Sequence, residues 1–111
     1  MSERSPEVLI QDILDSIQSI QLYTEGMSSR LFLDDPKTRD AVVMHFVVIG
    51  EVSSRIPEDF KKENPQIPWS EMRGLRNRIA HDYFGVDYEI VWDIIQNNLA
   101  SLAQQIREIG N

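Results

Sequence analysis

The chain contains no cysteine and only two histidines among its 111 residues. The absence of cysteine excludes a disulfide framework, a thiolate zinc site, an iron–sulfur cluster and a cysteine nucleophile. Two histidines are too few for a dedicated transition-metal site of the usual kind. We therefore expect chemistry that uses neither a metal nor another cofactor.

Long apolar runs are also missing. No run approaches the roughly 20 residues needed to span a bilayer, and the first residues lack the basic and unbroken apolar regions of a secretory signal. We expect a cytoplasmic protein that does not contact membranes. At this length a single domain with one core, residues 1–111, is the expected organisation.

Basic residues are fewer than acidic ones: the chain has 11 Lys and Arg and 18 Asp and Glu, which gives a net charge of -7. That average argues against general nucleic-acid binding, but the charge is uneven. Residues 1–60 hold 5 basic and 11 acidic side chains (net -6), residues 61–81 hold 5 and 2 (net +3), and residues 82–111 hold 1 and 5 (net -4). The positive segment holds Lys61, Lys62, Arg73, Arg76 and Arg78. These residues form either a binding surface or an ordinary solvated helix face.

Helical periodicity dominates the sequence, and no β alternation competes with it. Ser5, Pro6 and Glu7 predict a helix start, and an apolar stripe extends that helix to about Glu25, with Gly26 just beyond. That stripe consists of Ile10, Ile13, Leu14, Ile17 and Ile20. A second helix is predicted from the N-cap Asp35 and Pro36, and its nearly continuous apolar stretch 41–50 indicates burial on most sides.

Three further features follow along the chain. The stretch PEDFKKEN predicts a short helix or turn, and Ser70 is a candidate cap for a long helix from about Glu71 to Tyr83. Asp87 is the candidate cap of a last helix, whose stripe runs through Val91, Ile95, Leu99, Leu102, Ile106 and Ile109. The pattern predicts an all-α fold, an antiparallel four- to five-helix bundle.

More apolar surface is present than a small bundle can cover, notably Tyr88, Trp92 and the second helix. We therefore expect a two-fold symmetric homodimer. Gly74 fits either a close helix–helix approach at such an interface or an exposed site that tolerates glycine.

The sequence MRGLRNRIAHDYFGVDY holds side chains suited to cleaving RNA. RNA carries its own nucleophile, the 2′-hydroxyl, so a protein must supply only proton transfer and a cation. His81 titrates near neutral pH, and Arg76 can bind phosphate oxygens in bidentate fashion. Asn77 could orient either one, and Tyr83 could contact phosphate or stack on a base. On a straight helix Arg76 and His81 lie about 140° apart, so they converge only if the helix ends near His81 or a second subunit completes the site.

The string RNRIAHDY resembles the signature of the HEPN superfamily of helical ribonucleases, and the resemblance is closest to the HepT toxins. The flanking segments DPKTRDAVVMHFVVIGEVSSRIP and IPWSEMRGLRN are similar to that subfamily as well, so the resemblance covers nearly the whole chain. It implies a homodimeric, metal-independent endoribonuclease toxin that cleaves RNA, either transfer RNA or messenger RNA. Arg76 and His81 match the catalytic pair of that family, and Asn77 matches the adjacent polar residue.

The resemblance also implies a partner. HepT toxins are paired with a minimal nucleotidyltransferase antitoxin, MntA, which transfers AMP from ATP to the signature tyrosine. The resemblance implies that the two signatures of the homodimer face each other across a shared cleft. Tyr83 would be the modified residue here, and the adduct would block that cleft and repel substrate phosphate. The alternative is a non-catalytic helical adaptor whose dimer only binds a nucleotidyltransferase.

Other polar and aromatic residues have structural interpretations. His45 lies in an apolar helix and is expected to be packed and hydrogen-bonded, while Trp69, Tyr88 and Trp92 are expected to anchor the core or an interface. Glu51 could be buried and paired with an arginine. Arg73, Arg78, Lys61 and Lys62 are candidate phosphate contacts, although for each residue taken alone ordinary surface charge is the favoured interpretation.

Overall fold

The computed structural model describes residues 4–80 and 85–109, which form eight helices. These are α1 (Pro6–Thr24), α2 (Ser29–Leu33), α3 (Pro36–Ser54), α4 (Glu58–Glu63), α5 (Trp69–Arg73), α6 (Leu75–Ile79), α7 (Tyr88–Asn97) and α8 (Leu99–Arg107). The predicted all-α class is confirmed. The bundle has more and shorter helices than the four long ones that we predicted.

The predicted starts of α1, α3 and α7 are confirmed by their cap hydrogen bonds. The Ser5 hydroxyl accepts from the Val8 N–H at 3.3 Å, and the Asp35 carboxylate accepts from the Thr38 N–H at 3.1 Å. Asp87 likewise accepts from the first N–H groups of α7. Gly26 follows α1 with a φ of 76°, the left-handed region that favours glycine. Local signals therefore specify these boundaries.

The predicted long helix from Glu71 to Tyr83 is wrong. It is divided into α5 and α6 at Gly74, and Ser70 is not the cap, because α5 begins at Trp69 after Pro68. The chain leaves the helix at Ala80, which is extended and forms an isolated antiparallel bridge with Val86. That tertiary pairing competes with further helical turns, so α6 ends at Ile79.

The predicted last helix is also divided, at Asn98, whose φ of -124° departs from helical geometry. Its apolar stripe is nevertheless confirmed across the break, because Val91, Leu99 and Ile106 are all buried. We did not predict the short helix α2. It buries Phe32, whose ring centroid lies 5.2 Å from that of Trp92.

The core is centred on α1 and α3, which pack along most of their lengths. Both helices bury branched or aromatic side chains completely, each worth about 1.5–3 kcal/mol relative to exposure; they include Ile13, Ile17, Ile20, Val42, Phe46 and Ile49. Helix α8 packs on α1, and α5 and α6 pack on α3. The stretch 41–50 of α3 is covered on most sides, as predicted, since Met44, at 61% exposure, is its one exposed residue.

No helix within the described ranges is long and apolar enough to cross a membrane.

Candidate functional site

Arg76 and Asn77 lie on the exposed side of α6 and line an open pocket of about 160 Å³ between α6 and α3. Arg73, the last residue of α5, lines the same pocket. The side of the pocket formed by α3 includes Glu51 and Ser54. The structure therefore brings together three of the candidate residues, two arginines and an amide, on one accessible surface.

Buried residues of α5 and α6 orient these polar side chains outward. Met72, Leu75 and Ile79 are 2%, 6% and 0% exposed, so their side chains fix the inner face of this segment. Arg73 and Arg76 are three residues apart and both point into the pocket. Apolar burial on one face thus presents the arginines on the other.

Gly50 of the neighbouring helix faces the backbone of α5. A Cβ atom at Gly50 of α3 would lie 3.4 Å from the Met72 carbonyl oxygen and 3.5 Å from that of Arg73. The backbone of α5 therefore lies directly against α3. A Cβ atom at Gly74 would lie 3.4 Å from the Ser70 carbonyl oxygen of its own segment, and Gly74 separates α5 from α6.

His81 and Tyr83 lie outside the described residues, but the ends of the segment that contains them are fixed. The Ala80 N–H donates to the Arg76 carbonyl at 2.9 Å, and the Asp87 N–H donates to the Ile79 carbonyl at 2.7 Å. The helix ends before His81, which is one of the two conditions under which Arg76 and His81 can converge. The geometry of His81 itself stays a prediction.

The remaining basic candidates separate into two groups. Lys61 and Lys62 of α4 share a pocket of about 300 Å³ with Arg73, so they adjoin the Arg76 pocket. Arg78 instead lines a different groove of about 210 Å³, between the α5–α6 segment and α7–α8. Four of the five basic residues of the positive segment therefore lie along one side of the chain, and Arg78 lies apart from them.

Glu51 is exposed, so the expectation that it is buried is wrong. Within the described part of the chain it forms no ion pair with an arginine at 4.0 Å or less, although it lines the pocket of Arg73 and Arg76. Ser54, which sequence reasoning missed, donates its hydroxyl hydrogen to the Glu51 carbonyl at 2.6 Å. Gly50 and Ser54 lie one helical turn apart, and this spacing could have shown that they share the side of α3 that lines the pocket.

His45 has the packed role that we expected. Its Nδ1 lies 3.3 Å from the Ser16 hydroxyl, and its ring centroid lies 5.6 Å from that of Tyr23. These contacts hold His45 between α1 and α3, away from the residues that line the pocket of Arg76. It is not part of the candidate site.

The three aromatic anchors also pack as expected. Trp69 is 9% exposed and donates its indole N–H to the Asn64 carbonyl at 3.0 Å. Tyr88 donates its hydroxyl hydrogen to Asp40 at 2.7 Å, and the Arg39 guanidinium lies 4.5 Å from the Tyr88 ring centroid. Burial raises the pKa of the Tyr88 hydroxyl, and the hydrogen bond to Asp40 adds to the rise. This contact ties the start of α7 to α3.

Comparison with known proteins supplies the family context. A family model described as "Ribonuclease HepT-like" matches residues 13–109. The chain is 39% identical over 109 residues to "Putative RNase MJ0127" of Methanocaldococcus jannaschii, covering 98% of this chain and 90% of that protein. It is 36% identical over 107 residues to "Probable ribonuclease HepT" of Thermococcus cleftensis, covering 96% and 97% of the two chains. No solved structure matches the chain significantly.

Proposed function

This chain belongs to the ribonuclease HepT-like family, and from that premise we propose that it is the endoribonuclease toxin of a toxin–antitoxin pair. Its substrate is RNA, either transfer RNA or messenger RNA, and no metal takes part. The observation that carries the proposal is the convergence of Arg73, Arg76 and Asn77 on one open pocket, next to a helix that ends at Ile79, two residues before His81 in the sequence.

The proposed reaction is transesterification within the RNA strand. The 2′-hydroxyl attacks the adjacent phosphorus, its proton passes to a base, and the 5′-oxygen leaves with a proton from an acid. His81 carries out proton transfer at this centre. Arg76 stabilises the negative charge that develops on the phosphorane oxygens, since its guanidinium is planar and permanently charged. Asn77 positions one of these groups, and the products are a 2′,3′-cyclic phosphate and a 5′-hydroxyl.

The direct test is incubation of the purified protein with total RNA in the presence of EDTA. Arg76→Ala should reduce the cleavage rate about 10²–10³-fold, and His81→Ala about 10²–10⁴-fold. Lys37→Ala is the matched control, because Lys37 is an exposed cation at the start of α3 and lines none of the pockets described above. Equal activity in wild type and both site variants, or no cleavage by any of them, would contradict the nuclease and favour a non-catalytic adaptor.

We also infer a homodimer that brings two copies of the site together. The supporting feature is one side of α3, on which Met44 is 61% exposed, Val48 is half-buried and Glu51 is exposed, at helical spacing. Because Glu51 also lines the pocket of Arg76, a two-fold contact through this side of α3 would place two pockets close together. Light scattering at micromolar concentration should give twice the chain mass, and Met44→Glu should shift it toward a monomer. A monomeric mass for the wild-type protein would contradict a site shared between two subunits.

The proposed regulation acts on Tyr83. A minimal nucleotidyltransferase antitoxin of the MntA type would transfer AMP to it: the phenolic oxygen bonds to the α-phosphorus of ATP, pyrophosphate leaves, and the phenolic proton is released. The adduct adds negative charge two residues from His81, where substrate phosphate must bind. Co-incubation with such an enzyme and ATP should add the mass of AMP to the Tyr83 peptide and abolish cleavage. Tyr83→Phe should remain unmodified, and an unmodified wild-type peptide would contradict this regulation.

A further inference from the structure

A second basic pocket adjoins the pocket of Arg76. It lies between α4 and α5, has a volume of about 300 Å³, and is lined by Lys61, Lys62, Arg73, Glu58, Trp69 and Ser70. Its volume is at the small end of the range for small-molecule sites, which suits a single nucleotide unit better than a folded RNA.

The two pockets share one lining residue. Arg73 lines both of them, so the pocket of Arg76 and the pocket beside α4 lie on either side of the same arginine. Together the two pockets hold four cations and two carboxylates: Lys61, Lys62, Arg73 and Arg76 against Glu51 and Glu58. The lining side chains therefore carry a net charge of +2, opposite in sign to the protein's net charge of -7, which favours the approach of an anion at this place.

The ionic arrangement inside the second pocket leaves it open to an anion. Lys61 is the more fixed cation, since its side chain is only 12% exposed and its Nζ lies 3.5 Å from Glu58. The Glu58 side chain is 77% exposed, so solvent screens this pair. Lys62 is exposed, and within the described residues it has no carboxylate at ion-pair distance. A phosphate entering here would meet Lys62 and Arg73 without displacing a strong internal pair.

The aromatic wall of this pocket does not provide a stacking surface. Trp69 is 9% exposed, and its indole N–H is already bonded to the Asn64 carbonyl. Its ring also packs against Phe60, with centroids 6.4 Å apart. The pocket therefore offers charge rather than base contacts, and contacts of that kind fix the position of a strand without reading its sequence.

We propose that the pocket of Lys61, Lys62 and Arg73 binds the phosphate of a nucleotide next to the scissile bond of a single-stranded RNA substrate. This rests on the proposed function, because it takes the pocket of Arg76 as the place of cleavage. The strand runs from Arg76 past Arg73 to α4, and the second pocket contributes affinity that does not depend on base identity.

The test measures binding of fluorescein-labelled single-stranded RNA to the full chain carrying His81→Ala, so that cleavage does not interfere. A dinucleotide and a 12-nucleotide RNA are compared over a range of salt concentrations. Adding Lys62→Ala should weaken binding of the longer RNA about two- to fivefold. It should also reduce the slope of log K against log salt by about 0.7, the value of one single-strand phosphate contact. Dinucleotide affinity should not change.

Lys37→Ala is the matched control for general charge, and thermal melting checks that each variant is folded. The same loss should appear with poly(U) and poly(A), because the contact is to phosphate. Equal effects of Lys62→Ala and Lys37→Ala on the salt slope would overturn the proposal, as would an equal loss for the dinucleotide. Since the assay measures binding, it can support this site even if wild-type protein fails to cleave RNA, a result that would contradict only the nuclease.

Discussion

The α1–α3 pair and the α5–α6 segment are built in opposite ways. Helices α1 and α3 contain 19 residues each, begin with side-chain caps and bury complete apolar stripes. Helices α5 and α6 contain five residues each, have no side-chain cap and meet at Gly74. Most of the completely buried side chains belong to the first pair, whereas the candidate site residues Arg73, Arg76 and Asn77 belong to the second segment.

This difference assigns stability and the presentation of the candidate site residues to separate helices, whereas a single long helix would combine the two roles. Helices of five residues are too short to be stable alone, so the order of α5 and α6 depends on packing against α3. The break at Gly74 places Arg73 at the end of α5 and Arg76 on α6, and both arginines line one pocket. We expect substitutions in α1 to change stability far more than chemistry.

The largest effect is expected from Ile13→Ala in α1. Ile13 is 0% exposed, so its truncation leaves a cavity and should lower the free energy of unfolding by about 2–5 kcal/mol. Leu22→Ala in the same helix is the matched control, because Leu22 is 68% exposed and should change stability by about 0.5 kcal/mol or less. Urea denaturation measures both. If RNA cleavage per folded molecule also fell in Ile13→Ala, the separation of the two roles would be incorrect.

An intermediate effect is expected from a larger side chain at Gly50, where α3 contacts the backbone of α5. At Gly50, leucine would push against the carbonyl oxygens of Met72 and Arg73, and overpacking of this kind costs about 1–3 kcal/mol. Because α5 must move away from α3, cleavage should fall more than stability does. Gly50→Ala should retain the fold, since its Cβ would lie at ordinary contact distance, 3.4 Å from the nearest atom. Melting temperature and cleavage rate, measured together, show whether this contact couples the regions.

The smallest effect is expected from Tyr88→Phe, which removes the hydrogen bond between Tyr88 at the start of α7 and Asp40 of α3. The pKa of Tyr88 is raised above its ordinary value of 10.0, so the folded state holds the phenolic proton more tightly than the unfolded state. The resulting stabilisation is complete below about pH 10 and is lost as the pH rises through the folded-state pKa. Tyr88→Phe should therefore show a weaker loss of melting temperature between pH 9 and pH 11 than wild type. Identical pH profiles would contradict the raised pKa of Tyr88 in the folded state.

Helix starts could be predicted because their signals are local. Ser5, Asp35 and Asp87 each accept from an N–H within three residues, so the neighbouring sequence is sufficient. The end of α6 could not be predicted in this way. It depends on the bridge between Ala80 and Val86 and on the Asp87 bond to Ile79, which join residues six to eight positions apart through the fold.

The candidate site was predictable in composition but not in arrangement. The RNRIAHDY string identified Arg76 and Asn77, which the structure places in one pocket. It could not show that Arg78 lines another groove, or that Gly50 faces the backbone of α5, because both depend on how the helices pack. The distribution of charge along the sequence likewise located the basic segment 61–81. It could not show that Arg78 lies in a different groove from the other four basic residues.

The shortness of α5 and α6 has a consequence for the order of events during translation. These helices acquire their structure by packing on α3, which is synthesised before them, and α6 also contacts α7, which is synthesised after them. A nascent chain that ends before Val86 lacks both the bridge partner of Ala80 and the Asp87 N–H that donates to the Ile79 carbonyl. The end of α6, next to the candidate residues Arg76 and Asn77, is therefore fixed only after Asp87 has been synthesised, and we expect a chain stalled before that point to show no RNase activity.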